Sequence, residues 1–364
     1  MSPPALGLDP EQALASGRWV KWIAGASNQD LAAIEDLAGI HALAGVHCLD
    51  VAADAAVVAA ARRGIAWAEA RGASRPWLML SLSDGADPHF RKAWFDPQRC
   101  PSDCPRPCER VCPAAAISPL PAPGGAAGVL ADRCYGCGRC LPACPLGVIE
   151  ERPWVLGPQA VAPLLTELGP DAVELHTRLG RTDAFAERLW QVCASGVPLR
   201  RLAVSCGLEP AAGESPPREV ATPQELAAEL WQRHGLVRRA GLRPLWQLDG
   251  RPMRGDVGAG AARAAVRLWQ RLGPLAPPGP LQLAGGTNGH TRDLVDRVPS
   301  GAPPLAGVAF GGVSRSLLQP LVLEAQQRGS SLLRDEQLWP QALALVLQLV
   351  GPWLRQGSVK PPRG

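Results

Sequence analysis

Residues 19–37 read WVKWIAGASNQDLAAIEDL: an apolar run, a short loop of small and polar residues, then Leu31, Ile34 and Leu37 at helical spacing. This is a strand–loop–helix phrase. Ser27 with Asp30 resembles a capping pair at the start of its helix. The phrase recurs along the chain. Strand-like runs stand at 19–26, 46–52, 77–82, 172–177, 202–206, 244–248, 281–284 and 305–310, with Ala/Leu-rich stretches between most of them. Asp54 is placed to cap a helix through Arg63, and 263–272 and 340–350 read as further amphipathic or buried helices. Alternating strands and helices predict an α/β protein with a parallel sheet. Eight units in about 300 residues fit a (β/α)8 barrel. An open doubly wound sheet built from the same units is the alternative.

The 364 residues are 46% hydrophobic and 19% charged, enough apolar material for a large core. Glycine and proline together make about a fifth of the chain, below the roughly 25–30% of low-complexity sequences. A net charge of +4 is too mild to predict a nucleic-acid partner. The positive charge is nearly all arginine, the lysines being Lys21, Lys92 and Lys360. The start lacks a basic segment followed by an apolar stretch and a cleavage site. The longest uncharged run, 337–354, is interrupted by Pro340, Gly351 and Pro352, which leaves a helix of about ten residues, half of what a bilayer needs. A cytoplasmic protein with no transmembrane segment is expected, and with it reduced thiols.

Eight of the 11 cysteines crowd into residues 100–144. They run Cys100, Cys104, Cys108, Cys112-Pro113 and then Cys134, Cys137, Cys140, Cys144-Pro145. The second run matches the bacterial ferredoxin pattern C-x2-C-x2-C-x3-C-P. Three thiolates two residues apart wrap one compact object, and a fourth followed by proline turns away to the other cluster. Cys134, Cys137 and Cys140 are therefore expected to share a [4Fe–4S] cluster with Cys112, and Cys100, Cys104 and Cys108 a second one with Cys144. The first run is looser, and Pro101, Pro105 and Pro107 predict a loop there rather than a helix. Structural zinc, the alternative, usually pairs two separated knuckles, whereas here three ligands fall within seven residues. Arg99, Arg106, Arg110, Arg133 and Arg139 can offset the negative charge of the clusters. Gly136 and Gly138 let backbone amides approach, and Tyr135 between two ligands is read as a shield against water.

The cysteine stretch follows the third strand, where Ser83-Asp84-Gly85 leaves the barrel and Pro153 re-enters near Trp154. The expected organisation is therefore 1–87 as the first part of the barrel and 88–152 as a ferredoxin-like two-cluster insertion. The second part of the barrel would be 153–356, with a flexible tail at 357–364. After strands seven and eight come Gly285, Gly286, Thr287 and Asn288, and then Gly311, Gly312 and Arg315. Barrels commonly bind phosphate there, so these residues are candidates for a phosphate-bearing or quinone ligand, with Arg315 as a bidentate contact. Tight turns are the other reading. Asp50, His176, Arg178, Asp249 and Arg251 stand at strand ends, and Cys206 and Glu209 follow strand five. His176 is read as a satisfied core residue, and Cys48 and Cys193 as small hydrophobes. Cys206 has the better claim to reactivity because Gly207 follows it. His41, His47, His89, His234 and His290 form no metal-ligand spacing.

The phrase Asp87-Pro88-His89-Phe90-Arg91-Lys92, the two cysteine runs and Cys134-Tyr135-Gly136-Cys137-Gly138-Arg139-Cys140 together resemble the cyanobacterial light-dependent period (LdpA) family. Gly25-Ala26-Ser27-Asn28-Gln29-Asp30 and Cys48-Leu49-Asp50-Val51-Ala52-Ala53-Asp54 are also similar to that family. Ala24 departs from it, standing where a cysteine is expected. The resemblance implies an iron–sulfur protein with two [4Fe–4S] clusters that senses cellular redox state and passes light-dependent input to the circadian clock. It also implies the Kai oscillator proteins and an input histidine kinase as partners. Against this non-enzymatic sensor stands a barrel oxidoreductase, using the clusters as an electron relay to a bound flavin, quinone or phosphorylated substrate.

Overall fold

The computed structural model describes residues 8–26, 30–118, 127–208, 221–250 and 260–355. Eight parallel strands close into a barrel: β1 (Trp19–Gly25), β2 (Cys48–Ala52), β3 (Trp77–Ser83), β4 (Ala172–His176), β5 (Arg201–Cys206), β6 (Pro244–Asp249), β7 (Leu281–Ala284) and β8 (Gly307–Phe310). Each pairs with its sequence neighbours, and β8 returns to β1 with Trp19 opposite Gly307. Closure excludes the open doubly wound sheet.

Helices cover the outside. Asp30 alone caps the helix Leu31–Leu43, its carboxylate accepting from the amides of Ala32 and Ala33, while Ser27, assigned to a capping pair with it, lies outside the described residues. Asp54 does the same for Ala55–Glu69, which runs well past Arg63. The last helix spans Leu338–Leu354 and is longer than the prolines suggested. Pro340 sits in its first turn, where no intrahelical donor is missed, and Pro352 falls in its last. No helix among the described residues is long and apolar enough to cross a membrane.

The helices Leu31–Leu43 and Ala55–Glu69 meet at two glycines. A Cβ on Gly64 would lie 2.3 Å from the Glu35 carbonyl oxygen and 2.7 Å from the Gly39 nitrogen. Helix propensity alone would make Gly64→Ala stabilising by about 1 kcal/mol. The collision instead predicts a loss of about 1–3 kcal/mol, read as a lowered urea midpoint.

Alternation of side chains across each strand puts one set outward against the helices and the other inward. At the N-terminal end the inward set is apolar: Trp19, Cys48, Met79, Ala172, Ala203 and Leu245, closed below by Ala13 and Leu14 of the helix Pro10–Ala15. One layer up it is polar. Lys21, fully buried, bridges Asp50 (2.8 Å) and Glu174. Ser81 donates to Asp50 at 2.6 Å, and the Gln247 amide donates to Glu174 at 2.9 Å. The third layer, at the mouth, holds His176, Ser205 and Asp249.

Between β3 and β4 the chain leaves the mouth for the insertion. Arg91–Trp94 pairs antiparallel with Glu150–Pro153 as a stalk, and the Trp154 amide closes onto the Phe90 carbonyl at 2.7 Å. The Arg152 guanidinium lies over the Trp94 ring, and the Lys92 ammonium is 4.7 Å from the Trp154 ring centre.

Candidate iron–sulfur site

Two short helices, Pro107–Val111 and Cys140–Ala143, organise the cysteines and pack on each other. The first occupies part of the run for which a loop was expected. Pro107 stands at its first position, where a missing N–H costs nothing, so this proline starts a helix. Cys112 and Cys144 end the two helices in nearly the same extended backbone, φ −79° and ψ 107° against φ −77° and ψ 113°. The proline after each disfavours a further helical turn.

The thiols sort into two sets. Burial pushes Cys140 up to about 12, and Cys137, Cys134 and Cys112 add to the shift. Cys137 is raised by burial and then by Cys112 and Cys134. Burial also raises Cys100, together with Cys104 and Cys144, and raises Cys108, together with Cys144 and Cys100. Cys112 thus lies near Cys137 and Cys140, and Cys144 near Cys100 and Cys108. Arg106 and Arg139 act against these rises at Cys100 and Cys137. Cys144 behaves differently: burial raises it, but the amides of Val148, Leu146, Ile149 and Gly147 outweigh burial and lower its pKa. The Cys112 Sγ accepts from the Ala116 amide at 3.2 Å.

Cys112, Cys134, Cys137 and Cys140 line one small recess, partly open to solvent, with Ala93, Ile117 and Val129 among its apolar walls. Gly136 and Gly138 turn the chain around it at φ 77° and 75°. Four sulfur donors in a recess otherwise apolar fit an iron–sulfur cluster. Tyr135, buried, packs into the main core while its ring borders this cavity. Burial pushes its hydroxyl up to about 12. Arg139 pairs with Asp30 at 2.5 Å, tying the insertion to the loop after β1.

At the barrel mouth the picture differs from expectation in several places. Thr287 Oγ1 donates to the Ala309 carbonyl at 2.5 Å, fastening the loop after β7 to β8. Gly285 and Gly286 have φ of 62° and 89°, and a Cβ on Gly286 would meet the Ala261 oxygen at 3.0 Å, as a tight turn requires. The Asn288 side chain accepts from the His290 amide at 2.9 Å. Gly311 and Gly312 begin the helix Gly312–Gln327. Arg315 Nη1 donates to the carbonyls of Ile23 and Ala24 at 2.8 and 2.9 Å and ties the helix after β8 to β1. Burial also lowers its pKa.

Cys206 is no nucleophile. It is buried, its Sγ lies 3.8 Å from the Gln247 carbonyl, and burial pushes its pKa to about 12. Native-state iodoacetamide should leave Cys206 and the fully buried Cys48 unmodified, with Cys193, half-buried, the first of these three to react. Mass spectrometry of the alkylated protein checks the order. His41 stacks on Trp22 and donates to the Leu37 carbonyl at 2.7 Å, and burial lowers its pKa to about 4. His176 is more than a satisfied core residue. Its Nε2 bonds Glu174 Oε1 at 2.8 Å, and Asp87 and His89 lie beside it. Burial lowers its pKa, but Glu174, Asp87 and Asp249 outweigh burial and lift it to about 9. Arg178 Nη2 stands 3.6 Å from Asp87. Glu209 and Arg251 lie outside the described residues.

A closed (β/α)8 barrel with an iron–sulfur-binding insertion between its third and fourth strands is the class of protein that this fold and site define. Residues 164–352 match the family described as Light dependent period A C-terminal domain, and residues 100–155 match the LdpA Fe-S cluster-binding domain. Light dependent period A of Synechococcus elongatus (strain ATCC 33912 / PCC 7942 / FACHB-805) is 45% identical over 349 residues, 94% of this chain and 93% of the relative. The chain belongs to the Light dependent period A family. Among solved structures, the carboxyl transferase domain of Rhizobium etli pyruvate carboxylase aligns with a TM-score of 0.45 at 11% identity. That alignment covers 98% of this chain, which spans about half (52%) of the solved one. Mycobacterium tuberculosis tryptophan synthase aligns at 0.43 and 12% identity over 95% of this chain and 96% of its own. Neither likeness bears on this chain's chemistry.

Proposed function

We propose that the protein carries two [4Fe–4S] clusters and is a redox sensor that passes light-dependent input to a circadian clock in the cytoplasm of a cyanobacterium. Cys112, Cys134, Cys137 and Cys140 hold one cluster; Cys100, Cys104, Cys108 and Cys144 hold the other. What supports this reading is that Cys112 lines one recess with Cys134, Cys137 and Cys140, while Cys144 lies near Cys100 and Cys108. The clusters supply reversible one-electron chemistry. The chain's own residues set their surroundings: amides gather on Cys144, Arg106 and Arg139 counter the thiolates, and Tyr135 screens one cavity from water. The partners of this reading are the Kai oscillator proteins and an input histidine kinase.

Anaerobic purification should yield about eight irons and as much sulfide per chain, the content of two four-iron clusters. Cys112→Ser should disturb the paramagnetic signal of the cluster held by the second run and spare the other. Stoichiometric zinc without sulfide would overturn the cluster assignment, and equal partner affinity in oxidised and reduced protein would overturn direct sensing. Flavin absorbance in fresh protein would favour the oxidoreductase reading instead.

A further inference from the structure

Side chains from two stretches remote in sequence meet at the barrel mouth. Asp87 and His89 lie in the loop that leaves β3 for the insertion, and His176 ends β4, which pairs with β3. One ligand atom from each lies within 4.8 Å of the other two. His89 Nδ1 is 2.6 Å from Asp87 Oδ1, and the two imidazole rings are 5.5 Å apart. We propose that Asp87, His89 and His176 bind a divalent transition-metal ion, separate from the cysteine sites.

Two imidazoles and one carboxylate with further positions open suit Fe(II), Zn(II) or Co(II) better than Mg(II) or Ca(II), which prefer all-oxygen shells. The surroundings are those of a metal site. A metal-bound histidine usually gives its other ring nitrogen to a carboxylate. Here Glu174 takes His176 Nε2 at 2.8 Å, so Nδ1 is the ring nitrogen left for an ion. Glu174 is itself anchored by Lys21 and by Gln247, so the imidazole is held from behind. Asp87 is steadied by the His89 amide, which donates to its Oδ1 at 2.8 Å. The charged groups around the site are Asp87, Glu174 and Asp249, with Arg178 3.6 Å from Asp87 and Lys21 behind Glu174; His176 must give up its proton when an ion binds. Arg178 is the group an incoming ion competes with for Asp87.

The inference stands apart from the cluster assignment, because it uses no cysteine. Its test is anaerobic titration of the iron-loaded full-length protein with cobalt(II) chloride. One equivalent should bind with weak visible bands and no thiolate charge-transfer band. His89→Gln and His176→Ala should each weaken binding at least ~100-fold, and Glu174→Gln about 10–100-fold, with iron and sulfide unchanged. His89 is a half-buried loop residue, so its variant keeps the test valid if His176→Ala fails to fold, which thermal melting reports. No cobalt uptake by the parent protein, undiminished affinity in His89→Gln, or a thiolate band would each overturn the site.

Discussion

Removing iron by chelation is expected to unfold residues 88–152 and leave the barrel folded. The insertion has almost no core of its own. Its buried cluster is Ala93, Phe95, Cys108, Ala116, Ile117, Cys134, Cys140 and Ile149, three of them cysteines. Its helices have five and four residues, and one of its two hairpins pairs only Ile117–Ser118 with Gly128–Val129. A segment this size gains little from apolar burial and needs staples. Metal–thiolate bonds serve that end in other small domains, where binding is worth about 10–16 kcal/mol. The barrel keeps its own core and eight-strand closure. Hydrogen exchange should therefore show the amides of 100–118 and 127–145 losing protection in iron-free protein while β1 to β8 retain theirs, with proteolysis confined to the insertion. Loss of barrel protection in the same sample would mean that the two parts fold as one unit.

Lys21→Ala is expected to cost about 3–5 kcal/mol, the usual penalty for leaving a buried charge unpaired. The ammonium is fully buried between Asp50 and Glu174, whose side chains are each 1% exposed. Burial raises Asp50, and the Glu174 charge adds to the rise, to about 7. Burial would raise Glu174 as well, but the Lys21 charge, with the His176 hydrogen bond and charge, overrides it and holds that carboxyl well below its ordinary range. Without the lysine, both carboxylates face each other in a dry interior, and one must take up a proton. Adding Asp50→Asn and Glu174→Gln to Lys21→Ala should recover part of the loss, because the three sites are coupled. Urea denaturation reads both results; a cost under about 1 kcal/mol would show that water enters the barrel centre.

The eight strands were legible because each is a short apolar run bounded by turn residues, and only their ends moved by one or two positions. The grouping of Cys112 with the second run followed from Pro113, since a proline after the last thiol limits where it can turn. The polar interior was not legible. Lys21, Glu174, Gln247 and Gln282, a buried residue of β7 that donates to Gln247 at 2.6 Å, stand scattered among apolar residues of separate strands, and only closure stacks them. Their spacing carries a faint signal: Trp19 and Lys21, Cys48 and Asp50, Glu174 and His176 are all two apart and therefore share a face. The grouping of His89 with His176 depends on β3 lying beside β4, across an insertion that hides their proximity. The last helix runs beyond 340–350 at both ends, because Pro340 falls in its first turn, where proline is tolerated, and Gly351 and Pro352 fall in its last.

The Phe90–Trp154 contact makes the barrel nearly continuous across its own interruption. Residues 91–153 depart and return through adjoining points, so the excursion resembles a cassette plugged into a complete scaffold. A short turn bridging Phe90 to Trp154 would restore an uninterrupted passage from β3 to β4. The scaffold's assembly would then be insulated from the fate of the cassette, and oxidative damage to the thiols need not destroy the molecule that carries them.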